Sequence, residues 1–179
     1  MGFPHPTVDV PGEWPAIRDE LAMLDDPLAR ELRDALNGVA AASGHVCATG
    51  HVCATAWVID PTGRYTLLVL HPDLGWSTPG GHVERHELTR GAALRELEEE
   101  TGLTRFDVRP LEDRPSFVHV TDREGERPHR HWNVAWTFVA DMDAPLSPIE
   151  SARWWPIDAL PNGPADRALH LTDVTRRLG

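Results

Sequence analysis

Carboxylates crowd one short stretch of this 179-residue sequence, and their spacing suits the binding of a metal ion. Glu96, Glu99 and Glu100 follow one another at helical spacing, so on a helix they fall within an arc of about 100°. Carboxylates that close repel each other by roughly 0.2–0.5 kcal/mol per pair unless a positive group joins them. Arg95 can offset one of these charges, not all of them. The pattern therefore favours a hard divalent cation, because such ions prefer carboxylate oxygens and keep other positions for water and phosphate.

The element that must position these carboxylates is a predicted helix between two glycine signals. Pro79-Gly80-Gly81 precedes it, where glycine permits a positive φ or a close approach to another group. Gly102 follows it, at a normal position for a helix C-cap. Leu94 and Leu97 point away from the carboxylates toward a core, and Glu98 lies outside the carboxylate cluster.

Nine residues from Gly81 to Leu103 stand at spacings that form a known signature. They are Gly81, Glu87, Arg95, Glu96, Leu97, Glu99, Glu100, Gly102 and Leu103. This is the Nudix box, Gly-x5-Glu-x7-Arg-Glu-U-x-Glu-Glu-x-Gly-U with U aliphatic, matched at every fixed position. The chain therefore resembles the Nudix hydrolase family, and so complete a pattern is far more specific than a solvated acidic helix face. One unfixed position departs from the commonest form: His86 stands where many relatives carry glycine, which predicts a loop that turns less freely.

The resemblance implies an enzyme, a pyrophosphohydrolase that cleaves a nucleoside diphosphate linked to another moiety, X, by attack of water on phosphorus. It implies that Glu99 and Glu100 hold Mg²⁺ or Mn²⁺, and that Glu96 either ligates the ion or acts as general base. Glu87 would complete the outer part of the metal shell, and Arg95 would orient the carboxylates through charge-assisted bonds.

Other candidate site residues lie outside the helix. The backbone at Gly80-Gly81 could supply a carbonyl ligand. Trp76, in the loop before the box, either lines the substrate site or closes the core. Many Nudix enzymes bring a further carboxylate from a distant loop, and the candidates here are Glu124, Glu126 and Glu150.

The polar segment 122–131 is long enough to carry function. His129 and His131 are two residues apart, so along a strand they would share a face and could contact metal or phosphate. Arg130 could bind phosphate through its guanidinium fork. Solvated or core-edge histidines are the alternative interpretation.

An N-terminal helical hairpin is predicted before the Nudix-like part. Apolar residues recur at helical spacing from Glu13 to Asp25, and Asp26-Pro27 then indicates an N-cap and first turn of a second helix. We therefore divide the chain into a leader and hairpin, residues 1–43, and a Nudix hydrolase domain, residues 44–179. Packing is the favoured role of the hairpin, rather than dimerisation or a substrate lid.

The remaining elements predict an α/β fold. The hexapeptide Gly-His-Val-Cys-Ala-Thr occurs twice in succession, at 44–49 and 50–55, and we expect the second copy to occupy the first strand. The other predicted elements are strands at Arg64–His71, Phe106–Val108, Ser116–Thr121, Trp132–Ala140 and Ala152–Trp155, a loop at His71–Thr78 and a late helix at about 164–178. This order fits an α/β sandwich, and the resemblance implies a Nudix-type α/β/α sandwich with a mixed sheet.

Charge and composition limit the partners. A net charge of −11 argues against a nucleic-acid backbone as ligand but allows an anionic small molecule beside bound metal. The sequence has no apolar run of membrane-spanning length and no signal-peptide pattern, so we expect no membrane partner and a cytoplasmic location. Cys47 and Cys53 indicate neither a disulfide framework nor a zinc site. Homodimers are common in the family.

Two other functions remain open at this stage. The chain could be a Nudix-like module that binds or senses a nucleotide or sugar phosphate without turnover, although the box is intact. It could also hydrolyse a non-nucleotide diphosphate such as a prenyl diphosphate, which depends on whether a base-stacking pocket exists.

Overall fold

The computed structural model describes residues 14–41, 50–84, 86–123, 129–147, 151–163 and 171. Two helices at the N-terminal end, α1 (Trp14–Ala22) and α2 (Pro27–Ala41), form the predicted hairpin. Asp26 caps α2 as expected, because its Oδ1 accepts the backbone N–H groups of Leu28 at 2.7 Å and Ala29 at 3.2 Å. No helix in this described part of the chain is long and apolar enough to cross a membrane.

In the described part of the chain, the centre of the molecule is one mixed sheet of eight strands. The strands and later helices are β1 (Gly50–Ile59), β2 (Tyr65–His71), β3 (Gly75–Ser77), β4 (Gly80–His82), α3 (Thr89–Thr101), β5 (Val108–Pro110), β6 (Phe117–Arg123), β7 (His129–Ala140), β8 (Ala152–Pro156) and a 3₁₀ turn at Ile157–Ala159. β1 runs parallel to β7 from Gly50 to Ile59, whereas the other strand pairings among the described residues are antiparallel. The predicted α/β fold with a mixed sheet is confirmed.

The amino-terminal ends of β1 and β7 are flanked by β4 and β6. β4 pairs with β1 so that Cys53 lies opposite His82, and β6 pairs with β7 so that Thr121 lies opposite His131. The strand order at this end of the sheet is therefore β4-β1-β7-β6. This order sets the second copy of the hexapeptide between the glycine segment of the box and the histidines of β7.

The alternation of β1 divides the core between the two faces of the sheet. Ala54, Ala56 and Val58 pack with Leu97 of α3, and Val52 packs with the hairpin. The helices thus cover one face with two adjoining clusters. On the other face, a third cluster consists of Trp57, Ile59, Phe117, Ala135, Val139 and Leu171.

Two local predictions were wrong. The strand expected at Phe106–Val108 begins only at Val108, and Phe106 is 84% exposed. A polar turn precedes it instead, in which the backbone N–H of Thr104 donates to Asp107 at 2.8 Å and that of Phe106 donates to Thr104 at 3.2 Å. The segment expected to be a loop at His71–Thr78 contains β3, which pairs with the end of β2.

Other predictions fall outside the described residues. The first hexapeptide copy at 44–49 is one of them, and the late helix at about 164–178 is another, apart from the buried Leu171.

Candidate active and metal-binding site

The glycines at the start of the box hold the helix against the sheet. Gly80 pairs with Thr55 of β1, and a Cβ at Gly80 would lie 2.6 Å from the carbonyl oxygen of Ala54. A Cβ at Gly81 would overlap the carboxylate of Glu96. Gly80 therefore requires glycine, because the backbone of β1 occupies the space of a side chain, whereas a side chain at Gly81 would displace the carboxylate of Glu96.

The side chain of Arg95 links the carboxylates of the box by hydrogen bonds. Its Nε and Nη2 donate to the two carboxylate oxygens of Glu87, both at 3.1 Å, while Nη2 also donates to the carbonyl oxygen of His82 at 2.9 Å. Its Nη1 donates to Glu96 at 2.7 Å and reaches Glu99 at 3.5 Å. The guanidinium thus contacts three carboxylates at once, which planar, forked donors allow and a single point charge would not.

Burial strengthens this network for two of the three carboxylates. The side chains of Glu96, Glu87 and Arg95 are 15%, 18% and 25% exposed, whereas Glu99 is 59% exposed. Hydrogen bonding to Glu87 is the largest factor that raises the pKa of Arg95, and Glu96 adds to it against the cost of burial. Arg95 is therefore a permanent cation that holds Glu87 and Glu96, and it leaves Glu99 largely accessible.

Glu100 turns toward the sheet rather than toward Arg95. Its Oε2 accepts the backbone N–H of Gly80 at 3.0 Å. It also lines a pocket of about 560 Å³, whose walls are formed by Cys53, Thr55, His71, Asp73, Leu74, Ser77, Thr78, Gly80, Gly81, His82, Glu100, His119, Thr121, His131, Asn133 and Gly163. A volume of this size is within the range of small-molecule sites.

The start of α3 is anchored from the hairpin. Leu88, at the N-cap position, makes no side-chain capping bond, and Glu20 of α1 supplies the acceptor instead. The Glu20 carboxylate accepts hydrogen bonds from Thr89, from its backbone N–H at 3.3 Å and from its hydroxyl at 2.7 Å. The indole N–H of Trp136 donates to the Thr89 hydroxyl at 2.8 Å. Burial raises the pKa of Glu20 despite these bonds. The hairpin thus orients the helix that carries the carboxylates.

His86 adopts a backbone conformation that glycine adopts more readily. Its φ is 66°, in the left-handed region that costs an L-residue roughly 1–2 kcal/mol. The sequence predicted that the loop would turn less freely at this position. The loop does turn here, and the backbone of His86 is strained as a result.

The predicted substrate residues of β7 occupy different surroundings in the structure. His131 lines the pocket. Arg130 lies on the same strand, but its Nε donates to Asp122 at 2.9 Å and its guanidinium stacks on Trp132 at 5.5 Å. His129 also lies in β7, but its side chain is outside the described part of the structure.

Trp76 lies in β3 and is not among the residues that line the pocket. Its ring meets that of Trp155 edge to face at 5.1 Å, and the guanidinium of Arg153 lies 5.9 Å from its centroid. The distant carboxylates Glu124, Glu126 and Glu150 fall outside the described residues.

Several pocket residues were not predicted. His82 occupies an unfixed position of the box, and His119 and Asn133 are single polar residues within strand patterns, so no spacing rule singled them out. Cys53 belongs to the duplicated hexapeptide, whose second copy was expected only to form the first strand. The alternation of side chains along a strand could have predicted which face of its strand each of Cys53 and His131 occupies.

The box residues fit a hard divalent cation by their chemistry. All of their donors are carboxylate or carbonyl oxygens, the ligands that Mg²⁺ and Mn²⁺ prefer. Gly81 leaves room for the carboxylate of Glu96 beside the strand, and Glu100 reaches the pocket that a diphosphate would enter. Glu99 is accessible beside them.

Comparison with known proteins agrees with this fold. A family model described as the NUDIX domain matches residues 49–177, so the chain belongs to the Nudix family. Family membership and the Nudix fold, both expected from the box, are confirmed. Nudix hydrolases generally use divalent metal ions, which the oxygen-rich box suits.

Individual relatives cover different parts of the molecule. A protein of Bacillus subtilis named "Putative 8-oxo-dGTP diphosphatase YtkD" is 52% identical over 46 residues, which are 26% of this chain and 29% of that protein. The shared segment is thus less than a third of the relative's length.

Solved structures with the same fold are more distant in sequence. An Ap4A hydrolase of C. elegans superposes with a TM-score of 0.57 at 22% identity, over 73% of this chain and all of that one. The dihydroneopterin triphosphate pyrophosphohydrolase of E. coli gives 0.59 at 12% identity, over 72% and 98% of the two chains. The NUDIX domain of Shewanella oneidensis NrtR, solved with ADP ribose, gives 0.52 at 21% identity, over 73% and 90%.

Proposed function

We propose that this protein is a Mg²⁺-dependent hydrolase, with Mn²⁺ as a substitute ion, that cleaves the diphosphate linkage of a nucleoside diphosphate linked to X. The observation that carries the proposal is the arrangement around Arg95. One guanidinium holds Glu87 and Glu96 in place beside an accessible Glu99, and Glu100 faces the adjoining pocket.

Each box residue then has a distinct role. We assign the ion to Glu99 and Glu100, because Arg95 reaches Glu99 only at 3.5 Å and Glu100 lines the pocket. Both oxygens of Glu87 bond to Arg95, so Glu87 acts by orienting the guanidinium. The backbone carbonyl of Gly81 remains a candidate ligand beside Glu96.

Glu96 is the proposed general base. Arg95 Nη1 donates to Oε1 of Glu96 at 2.7 Å, and the other oxygen, Oε2, is the one proposed to accept a hydrogen bond from the water molecule. In the reaction, the water oxygen forms a bond to phosphorus and its proton passes to the carboxylate. The bridging P–O bond breaks, and the bridging oxygen leaves with the other phosphate. A bound divalent ion supplies the neutralisation of charge that develops on the phosphate oxygens.

The pocket defines where the substrate would bind. His131 lies in it and can donate to a phosphate oxygen. His129, Arg130 and Trp76 stay proposals as substrate residues, of which Arg130 would have to leave Asp122 to bind phosphate. The relatives that act on or bind nucleotides support a nucleotide-containing substrate over a prenyl diphosphate, and their names differ too much to choose one.

The test is turnover with Mg²⁺ or Mn²⁺ on a panel of dNTPs, ADP-ribose, dinucleoside polyphosphates, nucleotide sugars, CoA and prenyl diphosphates. Products formed in ¹⁸O water and identified by mass spectrometry show which phosphorus is attacked. The double variant Glu99→Gln with Glu100→Gln should lose activity by on the order of 10³-fold, because several kcal/mol of charge stabilisation is removed.

Glu98→Gln is the matched control, since Glu98 lies on the same helix and is exposed outside the cluster. It should retain activity. Full activity of the double variant would refute the assignment. No turnover across the panel, together with tight nucleotide binding, would instead establish a binding module.

A further inference from the structure

A cluster of cysteine and histidine side chains lies on the pocket, apart from the box carboxylates. The Sγ of Cys53 and ring nitrogens of His82 and His131 all lie within 4.8 Å of one another. Among the residues that the structure describes, these three form the group of metal-ligating side chains whose ligand atoms lie this close together. The box carboxylates, spread around Arg95, form no such group there.

The sheet holds these three residues in place. Cys53 lies on β1 directly opposite His82 of β4, and His131 lies on β7 directly opposite His51 of β1. Residues two apart on a strand share a face, and neighbouring strands lie about 4.8 Å apart. Backbone pairing therefore brings the cluster together, which distinguishes it from a chance meeting of flexible surface side chains.

The surroundings of the cluster combine burial with access. Cys53 is 3% exposed, His131 is partly buried and His82 is exposed, and all three line the pocket. The rings of His82 and His131 are 5.1 Å apart, and the ring of His51 lies 5.0 Å from His82 and 5.8 Å from His131. A further imidazole thus stands beside the three ligands.

We propose that Cys53, His82 and His131 bind a divalent transition metal of the zinc type, at a site separate from the oxygen-ligated cation of the box. Thiolate and imidazole ligands select zinc and similar ions, whereas Mg²⁺ and Mn²⁺ prefer oxygen. Around a tetrahedral zinc ion the ligand atoms stand about 3.4–3.8 Å apart. Small side-chain rotations therefore bring the observed group to ligating geometry.

The proposed site has an open coordination position. Three protein ligands leave a fourth position free, as in zinc sites that handle a substrate or water rather than ones that only hold a fold together. All three proposed ligands and Glu100 line the same pocket, so a phosphate oxygen of a ligand bound there would be near that position. Binding replaces the thiol proton of Cys53 by the metal ion and releases that proton to solvent.

Sequence spacing did not reveal this site because its ligands come from three strands far apart in the chain. The expectation that the cysteines indicate no zinc site was drawn from sequence spacing alone, and the present proposal departs from it. The new assignment does not depend on the proposed hydrolysis, since it concerns different ligands and a different class of metal.

The test is a titration of the metal-stripped full chain with Co²⁺, a spectroscopic substitute for zinc. The wild-type protein should take up one Co²⁺ with a thiolate-to-cobalt charge-transfer absorption in the near ultraviolet and intense visible bands of a tetrahedral ion. Added Zn²⁺ should displace it. Cys53→Ser should abolish the charge-transfer absorption, while His82→Ala and His131→Ala should each weaken Co²⁺ binding by at least about tenfold.

Matched controls separate this site from general metal binding by histidine. His71 lines the same pocket, but its Nδ1 accepts the backbone N–H groups of Asp73 and Leu74, so His71→Ala should leave the absorption unchanged. Cys47→Ser, in the other hexapeptide copy, should also leave it unchanged. His82 is exposed, so its removal leaves the core intact.

Three results would overturn the assignment. They are the absence of the absorption in the wild type at saturating Co²⁺, its persistence in Cys53→Ser, and unaltered affinity in His82→Ala. The Glu99→Gln with Glu100→Gln variant should keep the cobalt absorption even when hydrolysis is lost. Failure of the hydrolase proposal and failure of the zinc-type site are thereby distinguishable.

Discussion

The box carboxylates and the Cys53–His82–His131 cluster adjoin one pocket, yet the molecule assembles them in opposite ways. The carboxylates come from one helix and the loop before it, and a single guanidinium organises them. The cluster takes one ligand from each of three strands, and backbone pairing organises it. The first set therefore depends on side-chain charge, whereas the second depends on strand register.

The two sets of residues should therefore respond differently to substitutions. Changes to Arg95 or to the space around Glu96 should disturb hydrolysis without moving the cysteine and histidines. Changes to the strands should disturb both sets, because β4 carries Gly80 and Gly81 as well as His82 and pairs with β1, which carries Cys53.

Among the single substitutions, the largest effect should come from Gly81→Ala. Its new Cβ overlaps the carboxylate of Glu96, which must move and lose its bond to Arg95. We expect kcat/KM for the active substrate to fall by about 10²-fold, the cost of a displacement of about 1 Å at a reacting group. Steady-state kinetics with Mg²⁺ measures it.

Gly91→Ala is the control for this substitution. Gly91 lies in α3, and a Cβ there would stand 3.4 Å from Glu87, an ordinary contact. It should keep activity and add about 0.5–1 kcal/mol to the free energy of unfolding, since alanine favours the helix. Equal losses in both variants would show that the Glu96 position is not what matters.

Arg95→Lys should have the next largest effect. Lysine keeps the charge but cannot bond to Glu87, Glu96 and the carbonyl of His82 together, so we expect about a tenfold to 100-fold loss of kcat/KM. The cobalt absorption of the cysteine cluster should persist. Arg90→Lys changes a pair whose partner Asp113 is 91% exposed, and it should alter activity little. Normal activity of Arg95→Lys would contradict the organising role of the guanidinium.

Glu20 links the hairpin to the box helix, and its ionisation should oppose stability. Because burial raises its folded-state pKa above the ordinary value of 4.5, the folded state holds the proton more tightly than the unfolded state. The free energy of unfolding should therefore fall as pH rises from about 4.5 through the raised pKa.

Glu20→Gln removes this titration and keeps an acceptor for Thr89. Relative to the wild type, the variant should become more stable as pH rises through that window, measured by urea denaturation at several pH values. If the free energy of unfolding of the wild type instead rose relative to that of the variant as pH rises, the predicted sign would be wrong and the explanation would be refuted.

The smallest effect concerns His86. His86→Gly should raise the free energy of unfolding by about 0.5–1 kcal/mol, since relief of the positive φ exceeds the entropy that glycine adds to the unfolded chain. His86→Ala keeps a Cβ and should give no gain. Thermal unfolding of the two variants measures the difference, and equal stability would show that the turn is unstrained.

Much of the fold and half of the site could be predicted. The hairpin, its Asp26 cap, the strand pattern of β1 and the carboxylate helix all follow from local spacing. The strand at Phe106 could not be placed, because a polar turn at Thr104 and Asp107 competed with an apolar pattern. Arg95 was expected to offset one charge, and its contact with three carboxylates depends on the return of the loop at Glu87.

The sequence by itself determined the family, the α/β fold and the carboxylate face of α3. It could do so because a helix sets the relation of residues three and four apart through its own backbone. Only the tertiary structure decided that Glu20 anchors that helix and that Cys53, His82 and His131 meet. Those relations depend on which strands and helices become neighbours, and that is set by the packing of the whole sheet rather than by any local period.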